Sequence, residues 1–153
     1  MVSINDIRIA IQQALDNAYP NIEIYSEKIE QGFEEPCFFI KTINSSQESQ
    51  MWDSQKRDIL FDVHYFSDKE EDINKDCLDM AESLYQILRL INVEGTNFRS
   101  SKMNHVIEDD VLHFKLKFSY KILRIIEKAK MKKVEVKVRG KNWKISCKNW
   151  NKI

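Results

Sequence analysis

Apolar residues recur every three or four positions through the first eighteen of the chain. Ile4, Ile7, Ile11, Ala14, Leu15 and Ala18 fall on one side of a helical projection, the signature of an amphipathic helix. Ser3 stands where an N-cap is needed and Asp6 three positions on completes a capping-box pattern. Tyr19-Pro20 ends the helix, because the residue before a proline is pushed out of helical geometry. A second stripe follows the acidic turn "SDKEED": Ile73, Cys77, Met80, Ala81, Leu84, Ile87, Leu88 and Ile91 predict a helix of about five turns.

Elsewhere the period drops to two. "NIEIYSE" is a short alternating run, and "CFFIKTI" a longer one that is apolar on both faces at its start, as a strand beneath a helix would be. In "DILFDVHYF", Ile59, Phe61, Val63 and Tyr65 alternate with Asp62 and His64. The cleanest alternation is "VLHFKLKFSYKI": Leu112, Phe114, Leu116, Phe118, Tyr120 and Ile122 share one face, and His113, Lys115, Lys117, Ser119 and Lys121 the other. That pattern predicts a sheet covered by helices on one side and wet on the other. "KVEVKV", the turn "RGKN" and "WKISC" then read as a separate hairpin. The fold class expected is α+β: a mostly antiparallel sheet flanked by two amphipathic helices, with a C-terminal β-hairpin extension. Residues 1–128 form the expected body, and residues 129–153 the basic extension.

At 153 residues one such body has enough chain for a proper core. No apolar run reaches the length of a membrane span, and "MVSINDIRIA" lacks the basic-then-apolar order of a secretory signal. Three widely separated cysteines, Cys37, Cys77 and Cys147, suggest free thiols in a reducing cytosol. The formal net charge is zero, but residues 1–120 carry 12 Lys+Arg against 22 Asp+Glu and residues 121–153 carry 12 against two. A body of −10 and an end of +10 suggest that the C-terminal part meets something negative, either nucleic acid or the acidic part of a neighbouring copy.

Candidate chemistry is sparse. Cys37 heads "CFFI", where burial and not an electropositive pocket is expected, and Cys77 lies on a core stripe. His64, His105 and His113 have no CxxC, HxxxH or HExxH companion. His64 and His113 could be cross-strand neighbours on the polar face, which makes a metal site conceivable, but they read as a pair of ordinary surface histidines. No nucleophile elbow is present, and "SDKEED" reads as a helix start that tolerates negative charge, without the glycine a calcium loop requires. The chain is therefore read as no enzyme, with no metal and no cofactor.

Contact surfaces are better represented. "QGFEEPCFFI" reads as a turn between two strands, with Glu34 and Glu35 on a solvated corner before Cys37 starts the second strand. "NSSQESQMWDSQKR", residues 44–57, is a polar connection carrying Met51 and Trp52 in its middle, either a contact loop or one folded back over the domain edge. The tail interleaves Lys132, Lys133, Arg139 and Lys141 with Trp143 and Trp150, usable for phosphates and stacked bases. Its period-two apolar face of Val134, Val136, Val138, Trp143 and Ile145 equally suits docking on protein, including another subunit. These ten residues, Glu34 to Trp150, are the candidate binding residues.

"INDIRIAIQQAL" leading through "PNIEIYSEKIEQGFEEPCFFI" to "RDILFDVHYF" resembles the tail terminator proteins of tailed bacteriophages, prophages and phage-tail-like bacteriocins of Gram-positive bacteria, over roughly residues 4–126. The resemblance implies an α/β protomer, made in the bacterial cytoplasm, that assembles into a ring, usually a hexamer, at the head-proximal end of the tail. Implied partners are further copies of itself, the tail tube protein, the sheath protein where the tail contracts, and a head-completion protein where a head exists. Such a ring stops tube polymerisation and offers a collar or head-joining surface. It implies no catalytic residue, no membrane and no small-molecule ligand. A nucleic-acid-binding module using the basic tail and another head–tail connector protein are the alternatives.

Overall fold

The computed structural model describes residues 2–25, 32–51 and 54–123, and the backbone of residues 134–138 and 141–145. The chain divides into two compact units, Met1–Leu123 and Arg124–Ile153. The first is α+β, with the order α1 (Ile4–Ala18), β1 (Glu23–Tyr25), β2 (Cys37–Ser49), β3 (Ser54–Phe66), α2 (Ile73–Ile87), β4 (Leu90–Val93), β5 (Thr96–Glu108) and β6 (Val111–Leu123). Its six strands form one sheet in the order β1-β2-β3-β6-β5-β4. Only β1 with β2 is parallel; the other pairings are antiparallel.

The first helix forms as its sequence dictates. The Asp6 backbone N–H donates to Ser3 Oγ at 3.2 Å, and the Ser3 N–H donates to Asp6 Oδ2 at 2.7 Å. Two donors that a helix start would leave unpaired are thereby satisfied. The N–H of Tyr19 returns to the carbonyl of Leu15 at 2.8 Å as the helix ends. Replacing Ser3 by alanine should lower the unfolding free energy by about 1 kcal/mol, measured by urea denaturation with unchanged slope.

The core lies between the helices and one face of the sheet. Ile7, Ile11 and Leu15 of α1 and Cys77, Ala81 and Leu84 of α2 join Ile59, Phe61, Val63 and Tyr65 of β3 and Leu112, Phe114, Leu116 and Phe118 of β6 in one buried cluster. α2 is tied to the sheet by a polar knot as well. Asp76 accepts from Tyr65 Oη at 3.0 Å and Ser67 Oγ at 2.7 Å, and pairs with Lys69. Burial works against the charge of Asp76, but these donors, Lys69 first, outweigh it and hold the carboxyl below its ordinary range.

Four sequence expectations change. α2 stops at Ile87, with Leu88 as its C-cap, and Ile91 sits buried on β4 instead of a last helical turn. Residues 44–57 are not a loose connection: β2 runs on to Ser49 and β3 begins at Ser54, so most of the stretch extends a hairpin. The corner before Cys37 is not a hairpin turn either, because β1 and β2 run parallel, with Glu23 opposite Cys37. β5 was invisible as a strand by alternation. It is built by two-residue turns on either side, Glu94-Gly95 and Asp109-Asp110, all four with positive φ, the backbone that matches strand twist in a tight hairpin.

The second unit contains the hairpin β7 (Val134–Val138) and β8 (Lys141–Ile145), paired antiparallel with Val136 opposite Trp143. No helix among the described residues is long and apolar enough to cross a membrane.

Candidate functional site: the sheet face opposite the helices

Because side chains alternate along a strand, the residues between the core positions of β3 and β6 project from the other side of the sheet. That face has three zones along the strands. At one end Phe39 and Phe66 pack at 5.4 Å between ring centroids, with Phe33 folded back on both at 5.5 and 5.1 Å and Tyr25 on Phe39 at 5.1 Å. This is what "QGFEEPCFFI" does: its Phe33 caps an aromatic cluster, and Cys37 is fully buried. Burial and then the nearby Glu35 push the Cys37 thiol up to about 11, so it stays protonated and is no nucleophile near neutrality.

The middle zone is a histidine pair over a buried carboxylate. β3 and β6 place His64 directly opposite His113, with ring centroids 4.2 Å apart. Asp62, 4% exposed, lies between them: its Oδ2 is 3.3 Å from His113 Nδ1, a hydrogen bond, and 3.1 Å from His64 Nε2. The second contact has the distance of an ion pair without the direction of a hydrogen bond, and His64 Nε2 and Asp62 Oδ1 are both buried without a hydrogen-bond partner. Burial disfavours the Asp62 charge, yet the two imidazoles, His64 foremost, hold the carboxyl below its usual range. The pair read from sequence as ordinary surface histidines is thus partly buried and shares an acid.

The far zone is charged. Asp58 accepts from Ser119 Oγ and pairs with Lys117 at 3.1 Å and Lys56 at 3.3 Å. The Ser119 hydroxyl and then the two ammonium groups hold Asp58 down to about 2. Lys115, Lys117 and Lys121 project in a row along β6, against Asp58 and Asp62 on β3. The helical side has the opposite sign. Asp68, Glu70, Glu71, Asp72, Asp79 and Glu82 are all exposed on α2 and the turn before it, and Leu78 is exposed among them.

Of the ten residues expected to bind, Glu34 and Glu35 are exposed just before β2, and Met51 is 78% exposed at the far tip of the β2–β3 hairpin. The structure separates these: thirteen residues of β2 intervene, roughly 40 Å at a strand's rise per residue. Lys141 and Trp143 occupy register positions opposite Val138 and Val136 in the second unit. Trp52, Lys132, Lys133, Arg139 and Trp150 lie outside the described residues. The lysines of β6 are legible in the sequence as a polar face, and Asp62 as lying on the same side of its strand as His64. Asp58 was missed, since its contacts become visible only once β3 and β6 are in register.

A one-sided sheet with an aromatic end, a histidine pair and a lysine row has an acidic helical back. A family described as phage tail terminator protein matches residues 6–130. The chain belongs to that family of phage tail structural proteins and is thus a virion-associated component. No curated protein matches the chain. One solved protein, named only by a sequence identifier, is 13% identical and aligns over 83% of this chain and 100% of its own, at a TM-score of 0.43.

Proposed function

We propose that this protein is a terminator ring subunit that caps the head-proximal end of a phage tail or tail-like tube and stops its polymerisation. The observation that carries the ring is the polarity of the protomer: a lysine row on one face of the sheet and an acidic α2 on the other side. Faces of opposite sign on opposite sides pair head to tail, and such heterologous contacts close into a ring when the rotation between copies permits. A hexamer is the ring expected. Exposed apolar residues accompany both charges, Leu78 on α2 and Val106 and Phe33 on the sheet side, as a contact with an apolar centre and charged rim requires. Tail tube protein is the partner along the ring axis, with sheath where the tail contracts and a head-completion protein where a head exists.

Electron microscopy of particles produced with and without the chain tests this. Tails made without it should lose their uniform length and run long, and supplying the chain should restore the normal distribution. Uniform tails in its absence would refute termination.

A further inference from the structure

We propose that Asp62, His64 and His113 form a binding site for one divalent transition-metal ion of the zinc type. This goes beyond ring assembly and does not depend on it. The three donor atoms lie within 4.8 Å of one another, on two adjacent strands that fix their spacing. Two imidazole nitrogens and one carboxylate oxygen are a donor set that suits zinc, cobalt or nickel and not calcium or magnesium.

The two separations from the carboxylate oxygen fit as well as the chemistry. Metal–ligand bonds of about 2.0–2.1 Å around a tetrahedral centre put neighbouring donors roughly 3.3 Å apart. Asp62 Oδ2 lies 3.1 Å from His64 Nε2 and 3.3 Å from His113 Nδ1. The His64 nitrogen is buried without a hydrogen-bond partner, and an ion would give it one, while the His113 hydrogen bond to Asp62 Oδ2 is the contact an ion would replace.

An independent observation is the acid itself. Asp62 is 4% exposed, its Oδ1 is buried with no hydrogen-bond partner, and no lysine or arginine among the described residues lies within ion-pair distance of it. Lys41 and Lys115 are its cross-strand neighbours in register, yet only the histidines approach it. Burying a carboxylate is costly, and a cation held at Oδ2 would compensate its charge directly. The histidine side chains are 22% and 24% exposed, so the remaining coordination position opens on the solvent side of the sheet, for water or a donor from another chain.

The test uses the full chain, stripped with a chelator and titrated with Co²⁺ and Zn²⁺ by absorption spectroscopy and calorimetry. One equivalent of Co²⁺ should bind with visible ligand-field bands and without the near-ultraviolet charge-transfer band of a thiolate ligand. Zn²⁺ should displace it and raise the melting temperature. Losing a residue that merely orients a ligand costs about 10–100-fold in affinity, so Asp62→Asn and His113→Gln should each weaken binding ~100-fold or more. His113→Gln, on a partly exposed side chain, keeps the test valid if Asp62→Asn misfolds. Equal binding by the parent and His113→Gln, a thiolate band, or no stoichiometric binding would overturn the proposal.

Discussion

Replacing Phe114 by alanine should remove about 3–5 kcal/mol of stability, a large share of the roughly 5–15 kcal/mol that holds a domain folded. Phe114 is fully buried on β6, a strand inside the sheet between β3 and β5. Val63 on β3 and His105 on β5 flank it, and the ring of Tyr85 from α2 meets it edge-on at 4.8 Å between centroids. Truncation therefore opens a void beneath α2 that neither neighbouring strand can move to fill without breaking its ladder. Tyr85 would lose its aromatic partner while its hydroxyl stays tied to His105 Nδ1 at 3.0 Å, which resists collapse of the helix into the gap. Leu123→Ala, on the same strand but 72% exposed, should shift stability by less than about 0.5 kcal/mol. Urea denaturation of the two variants side by side checks the assignment of the core; equal losses would contradict it.

The parts of the fold legible in the sequence were those where a local rule and the tertiary structure agree. The Ser3–Asp6 cap and the stripe of α1 need no distant partner, and β6 carries its alternation through eleven positions, Leu112 to Ile122, because one face meets the helices. β5 failed that reading because its inward positions are Phe98, Ser100, Met103, His105 and Ile107, only partly apolar, and a register shift between Ser100 and Lys102 breaks their period; the strand exists through its pairing with β6 and its two tight turns. The outer half of the β2–β3 hairpin was hidden for a related reason. Its residues are polar on both faces, and what orders them are cross-strand contacts such as Arg57 to Gln47 and Gln47 to Gln55 at 2.7 Å, which link residues eight and ten apart. Ile91 misled because a helical period and a following strand can place an apolar residue at the same interval. For the candidate sites, sequence supplied the two histidines on one polar face. It placed Asp62 on the side of His64 but could not supply the contact with His113, which joins residues 51 apart and depends on a register set by the whole sheet.

The proposed ring makes the second large prediction. Lys115→Glu with Lys121→Glu should abolish the assembled ring while leaving a folded monomer. Both lysines point from the sheet face opposite the helices, and neither is in an ion pair among the described residues. Exposed pairs contribute about 0.2–1 kcal/mol each, and reversal replaces attraction by repulsion. Two reversals thus cost each interface ~2 kcal/mol, close to a 30-fold loss in each contact. A closed ring suffers this at every interface at once, because each protomer contributes both faces. Light scattering after size-exclusion chromatography should show the parent as a ring and the variant as a monomer that keeps the parent's circular dichroism spectrum. The reciprocal change on the acidic side, Asp79→Lys with Glu82→Lys, should fail alone in the same way. Combined with the lysine reversals it should restore assembly, because the two faces then carry each other's former signs. Restoration by raised salt would follow from the same physics, since repulsion between exposed charges is screened within about 10 Å at 0.1 M. A ring that persists through the lysine reversals, or a combined variant that stays monomeric, would show that these two surfaces do not meet.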